Sequence, residues 1–148
     1  MIALSELMVG NLVCYDGDVD YSNPIRVEGF DIGTDMLVTS DREDVGSKGV
    51  IPIPLTRDKL EENGVEFHFC FDFDTASPFE VDISKARKFV QIFGNNNNGF
   101  FTCEVDDSCA DGLVLIATIY GNTTEIRYWH ELQNALTVCK IKKDFELC

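Results

Sequence analysis

Three groups of residues in this chain are of types that do chemistry. Asp16-Gly-Asp-Val-Asp20 has the carboxylate spacing that opens a calcium loop. An EF-hand needs Gly at its sixth position and a bidentate Glu at its twelfth. Those positions hold Tyr21 and Val27, Glu28 falls one residue late, and no helix is predicted in front. Asp16, Asp18 and Asp20 therefore read as a solvated acidic turn, with no metal expected. His68, Cys70 and Asp72 alternate along one strand. Residues two apart on a strand lie roughly 6.5–7 Å apart, whereas a Cys–His nucleophile pair needs contact at about 2.6–3.2 Å. The trio reads as the polar side of a sheet whose phenylalanines build the core. His130 and Asn134 are four apart on a predicted helix and can face one way, beside Glu131 and Gln133. A hydrogen bond from His130 to a backbone carbonyl is the plain expectation, and contact with a partner is the alternative.

Other chemistries find little support. The six cysteines contain no Cys-x-x-Cys pair, and the closest spacing is Cys103 to Cys109. A structural zinc site draws on tighter pairs, so free thiols are expected, with no metal and no cofactor. Lys85, Arg87 and Lys88 form a basic island too small, beside so much acid, to hold phosphate. The chain has no P-loop, dinucleotide fingerprint or serine-hydrolase elbow. No catalytic residue is assigned.

The elements that would position these residues follow from the apolar pattern. Short strands are predicted at 12–15, 25–30, 36–39 and 50–51, with a charged loop over 41–48 closed by Gly49. Their spacing suggests a small curled sheet or barrel-like meander. A short helix at about 57–63 carries its own start and stop signals. Thr56 can cap it, Leu55 and Leu60 can form a hydrophobic staple, and Gly64 suits a left-handed end. Alternating phenylalanines over 67–73 mark a strand, and 79–83 is a brief further candidate. Strands at 87–93 and 100–105 flank a six-residue Gly-Asn loop, and strands at 113–120 and 123–128 follow. An amphipathic helix at about 129–139 closes the pattern, with Trp129, Leu132, Gln133 and Leu136 on one face and Lys140, Lys142 and Lys143 complementing its C-terminal dipole. Many strands, one short helix, more strands and a longer helix predict an α+β fold, mostly antiparallel sheet, in a single domain spanning 1–148.

Charge is distributed unevenly. Residues 1–83 hold eighteen Asp and Glu against five Lys and Arg, a balance of −13, and residues 84–148 hold eight against seven, a balance of −1. Such a field repels nucleic acid and anionic membrane and favours basic protein surfaces. The longest apolar stretch, 113–119, is far short of the roughly 20 residues of a spanning helix. The first ten residues lack a basic n-region and carry Glu6. A cytoplasmic location is the expectation.

Three stretches carry a resemblance. Leu7-Met-Val-Gly-Asn-Leu-Val13, Ile51-Pro-Ile-Pro-Leu-Thr-Arg-Asp-Lys-Leu-Glu-Glu-Asn-Gly64 and Ile126-Arg-Tyr-Trp-His-Glu-Leu-Gln-Asn-Ala-Leu136 occur in that order. Together they resemble a family of small proteins of gut-bacterial phages and mobile elements. The resemblance implies a phage or mobile-element setting in a host bacterial cytoplasm, and brings no activity with it. The expectation is a non-enzymatic acidic binding protein engaging a basic protein surface. In its sharper form it inhibits a host nuclease or other nucleic-acid-binding defence complex, in the manner of anti-CRISPR or anti-restriction proteins. The candidate contact residues are Asp16, Asp18, Asp20, Asp41, Glu43, Asp44, Glu61, Glu62, His130 and Asn134. The alternatives are a phage structural or assembly protein, or a small-molecule enzyme using His68/Cys70 or His130.

Overall fold

The structure, a computed structural model, describes residues 2, 4–31, 33–41, 45–70, 87–97, 99–107 and 112–147. The strand candidate at 79–83, Asp72, Lys85, Glu43, Asp44, Cys109 and Cys148 lie outside them. Strands β1 (Leu12–Tyr15), β2 (Ile25–Asp31), β3 (Met36–Thr39), β4 (Val45–Gly46) and β5 (Val50–Ile51) form one antiparallel sheet in the order β4-β3-β2-β1-β5. Its two edge strands are joined only by the 3₁₀ turn Ser47–Gly49. Four strand spacings of about 4.8 Å would hold the edges of a flat sheet about 19 Å apart. A 3₁₀ turn of this length covers only about 8 Å, at roughly 2 Å per residue. The sheet must therefore curl until its edges approach, as the barrel-like expectation requires. A bulge in β2 between Val27 and Gly29 bends that strand. Val13, Ile25, Val27, Leu37, Val45 and Val50, drawn from all five strands, fill the interior with Ile2 and Leu7.

Strand β4 corrects the loop expected over 41–48. Its two residues carry no period, but Val45 belongs inside the curl, and Ser47 Oγ bonds the Asp35 carboxylate to fix the turn that follows.

The second sheet is an antiparallel meander of β6 (Glu66–Cys70), β7 (Arg87–Phe93), β8 (Phe100–Asp106), β9 (Val114–Ile119) and β10 (Asn122–Ile126), in the order β10-β9-β8-β7-β6. Helix α1 (Arg57–Glu62) starts as its sequence predicts, with the Thr56 side chain accepting from Lys59 N at 3.4 Å. Leu55 and Leu60 are both fully buried, and Gly64 ends the helix at φ +79°. Helix α2 (Trp129–Val138) buries Trp129, Leu132, Ala135 and Leu136. These residues join Val90, Ile92, Phe101, Leu115 and Ile126 in the larger core.

Strand β1 belongs to both cores. Val13 points into the curl, while Leu12 and Cys14 point the other way, into the larger core. Alternation along a strand produces this directly. A C-terminal strap over residues 140–147 closes the structure. Phe145 packs edge-on against Trp129 at 5.0 Å, and Asn63 exchanges hydrogen bonds with Glu146 O and N at 2.8 and 2.7 Å. Arg26 donates to Phe145 O at 2.9 Å.

Candidate partner-binding surfaces

Loop 16–23 leaves β1 and is fixed from within. Asp18 Oδ1 accepts from Ser22 N and Oγ at 3.2 and 3.1 Å, and its Oδ2 accepts from Asn23 N at 2.9 Å. Asp16 N donates to Gly49 O at 2.8 Å, which ties the loop to the 3₁₀ turn. The backbone turns at Gly17 (φ +103°) and Tyr21 (φ +52°). The Asn23 amide is the main influence holding the Asp18 carboxyl below its ordinary 3.8. Asp18 is thus a charged internal brace, and donors fill the positions a cation would need. Asp16 and Asp20 stand exposed on either side, with no ion pair among the described residues. Between and beside them, Val19 is 83% and Tyr21 37% exposed.

The other acidic candidates are more engaged. Glu61 pairs with Arg57 at 2.7 Å and Glu62 with Lys59 at 3.6 Å, both on α1. Arg57 also sits 4.8 Å over the Phe67 ring. Asp41 accepts from Tyr15 OH and from Thr39 Oγ1. Of the acids proposed for contact, Asp16 and Asp20 are the ones that combine exposure with an unengaged carboxylate among the described residues.

The histidines occupy quieter places. His68 stacks on Phe89 at 5.3 Å, and its Nε2 lies 3.2 Å from Glu66, two residues back on the same strand. His130 is only 3% exposed, stacks on Tyr128 at 6.0 Å, and has no hydrogen-bond partner at Nδ1 among the described residues. The expected bond to a carbonyl is not made by that nitrogen. Burial holds its imidazole below the ordinary 6.5, against the opposing pull of Glu131 and Glu6. Cys14 and Cys103 are buried, and burial pushes the Cys103 thiol up to about 12.

Asn134 works inside the chain. Its Oδ1 accepts from Asn11 Nδ2 at 2.9 Å, and its Nδ2 donates to Glu6 O at 2.8 Å. Next to it, Gln133 Oε1 accepts from Leu12 N at 2.8 Å while Nε2 donates to Gly10 O at 3.1 Å. The pair latches α2 to the start of β1. Nearby, Leu55 N bonds Arg127 O, Trp129 N bonds Ile53 O, and Pro54 bridges to Tyr128. The stretches 7–13 and 51–64 therefore both bond to the stretch 126–136, and Gln133 satisfies backbone groups at the start of β1.

One feature was missed from sequence. A cleft of about 590 Å³ opens where the barrel, the Gly94–Gly99 loop and the C-terminal strap converge. Arg26, Lys140 and Lys142 line it, with Asp144 bound to Asn95 Nδ2 at 3.0 Å on the same wall. Lys143 contributes to the lining, while its ammonium lies over Gly64. The signal available was the run Lys140-Ile-Lys-Lys143, free of acids.

Neither a family model, nor a curated protein, nor a solved structure matches this chain. What the fold defines is a class: α+β, two five-stranded antiparallel sheets with one short and one C-terminal helix. Among the described residues no helix is long and apolar enough to cross a membrane, and no three His, Cys, Asp or Glu side chains are placed to share a metal ion.

Proposed function

We propose that this chain is a non-enzymatic binding protein that engages a basic protein surface through loop 16–23, in the cytoplasmic setting of a phage or mobile element. One observation carries the reading. Asp16 and Asp20 are exposed and unpaired among the described residues, on a loop that Asp18 holds in place. Carboxylates on a fixed loop lose less conformational freedom on binding than carboxylates on a loose one. In the sharper form, they occupy phosphate positions in the nucleic-acid channel of a host defence protein. The enzyme alternative draws less support, since His130 is buried and His68 is engaged by Glu66 and Phe89.

The test compares two variants that each remove two negative charges. D16N/D20N alters the loop, and D58N/E62Q alters α1. Fluorescence anisotropy against a lysine- and arginine-rich peptide at low salt is expected to show a loss of at least about fivefold for the loop variant only, on the order of 1 kcal/mol. Equal losses in both variants would mean diffuse charge attraction and would overturn the loop as the binding element.

A further inference from the structure

We propose that the basic cleft is a docking site and that its occupant is loop 16–23 of a second copy of this chain. The inference rests on the reading of that loop as the binding element, and names its partner.

Charge is the first support. Among the described residues the Arg26 guanidinium bonds carbonyl oxygens, Gly10 O at 3.3 Å and Phe145 O at 2.9 Å, and no carboxylate pairs with it. Lys140 and Lys142 are exposed and have no carboxylate partner among the described residues. The loop offers Asp16 and Asp20 in the same unpaired condition.

Apolar surface is the second support, and it is independent of charge. Seven large hydrophobic side chains stand exposed among the described residues, and four of them fall in these two places. Val19 and Tyr21 are on the loop. Met8 (39% exposed) and Val9 (65%) line the cleft. Each patch thus pairs apolar atoms with charge, and the two patches carry opposite signs. The cleft's volume lies within the roughly 300–1,000 Å³ of concave binding sites.

Position sets the geometry of assembly. None of residues 16–23 lines the cleft, so loop and cleft are separate patches of one chain. A contact made once is heterologous and builds rings or open chains, whereas one made reciprocally across a two-fold axis closes a dimer. Two chains of net charge −14 repel at long range. At about 0.15 M salt the Debye length is about 8 Å, so the repulsion is screened while the matched patches still meet. Association is therefore strongest at intermediate salt and weaker both near about 0.01 M and near about 1 M, where the Debye lengths are about 30 and 3 Å.

Sedimentation velocity at about 0.15 M salt tests this with the full chain, D16N/D20N and K140A/K142A. All four positions are exposed, so far-UV circular dichroism of each variant is expected to match the parent. The parent's weight-average sedimentation coefficient should rise with concentration, and each variant alone should self-associate at least about tenfold more weakly. Mixed, the variants should form a two-chain complex and nothing larger, because one keeps the cleft and the other keeps the loop. Val19→Ser, which changes no charge, should weaken association in the same direction. A monomeric parent at all concentrations, or variants that associate like the parent, or a mixture without the two-chain complex, would overturn the proposal. A monomeric parent whose D16N/D20N variant still loses cationic peptide overturns self-docking and leaves the loop as a binding element. Loss of neither property overturns both readings.

Discussion

The two cores of this protein are built differently and leave different surfaces outside. The barrel interior is aliphatic, filled by Val, Ile and Leu from five strands of two to seven residues together with Ile2 and Leu7. The larger core is organised around Trp129, Phe101 and Phe145 and draws on both helices, the second sheet and the strap. Charge density follows the same division. Residues 1–51 hold ten acids against three bases and residues 52–148 sixteen against nine, so the barrel half carries the same balance of −7 on about half as many residues. A unit with so few buried side chains gains little from its own interior. It can carry an unfavourable density of carboxylates because the outer face of β1 is anchored in the larger core. Large buried aromatics are concentrated in one region and carboxylate density in the other.

The comparison is broken most severely at the aromatic pair. Trp129→Ala should destabilise the protein by about 3–5 kcal/mol, as large aromatic truncations in cores do. Leu37→Ala in the barrel belongs to the class costing about 2–5 kcal/mol, and its smaller side chain places it below Trp129→Ala. Trp129 is the sole tryptophan, so its fluorescence reports on the larger core alone, while far-UV circular dichroism reports on both sheets. Urea transitions followed by the two probes should coincide in the parent and in Leu37→Ala. Separated transitions would show that the halves fold independently.

The latch between the halves is the next test. Gln133→Ala leaves Leu12 N without its side-chain partner and Gly10 O with Arg26 alone, and should cost about 1–3 kcal/mol in urea unfolding. A loss as small as that of an exposed substitution would show that the latch is dispensable.

A smaller effect depends on pH. His130 is held neutral in the folded chain, with its pKa below the ordinary 6.5. As pH falls through 6.5 towards the folded value, the unfolded chain binds the proton more readily, so stability declines. Above 6.5 this contribution is level. The urea midpoint of the parent should drop on acidification across that window. His130→Phe should remove that part of the slope, and an unaltered slope would assign it to other groups.

The smallest effect is expected at the loop. D16N/D20N should shift stability by no more than about 0.5 kcal/mol, the range for exposed positions away from packing, while it weakens binding. A stability loss as large as the latch variant's would make these carboxylates part of the fold.

Legibility in the sequence followed the locality of the cause. Helix α1 could be delimited because Thr56, Leu55, Leu60 and Gly64 act within one short segment. Strands β1, β3 and β5 fell at short apolar runs between turn signals. Strand β4 did not, because Val45 is a single apolar residue in a charged stretch and is ordered by strands from elsewhere in the chain. The acidic turn was visible in Asp16-Gly-Asp-Val-Asp20, but Asp18 could not be told from its neighbours until the Ser22 and Asn23 amides converged on it. Gln133 and Asn134 suggested a polar site, and only the fold shows that Gly10, Asn11 and Leu12 receive them. The cleft was beyond reach, since Arg26 and Lys140 are more than a hundred positions apart.

Strand β1 is four residues long and forms a wall of two compartments at once. A recombination event that exchanged the barrel for a relative's would also replace Leu12 and Cys14, and so alter the packing beneath Trp129. Such exchange succeeds only when the incoming strand suits both neighbours. Drift in either half is therefore constrained by the other, and viable descendants should inherit the two as a matched set.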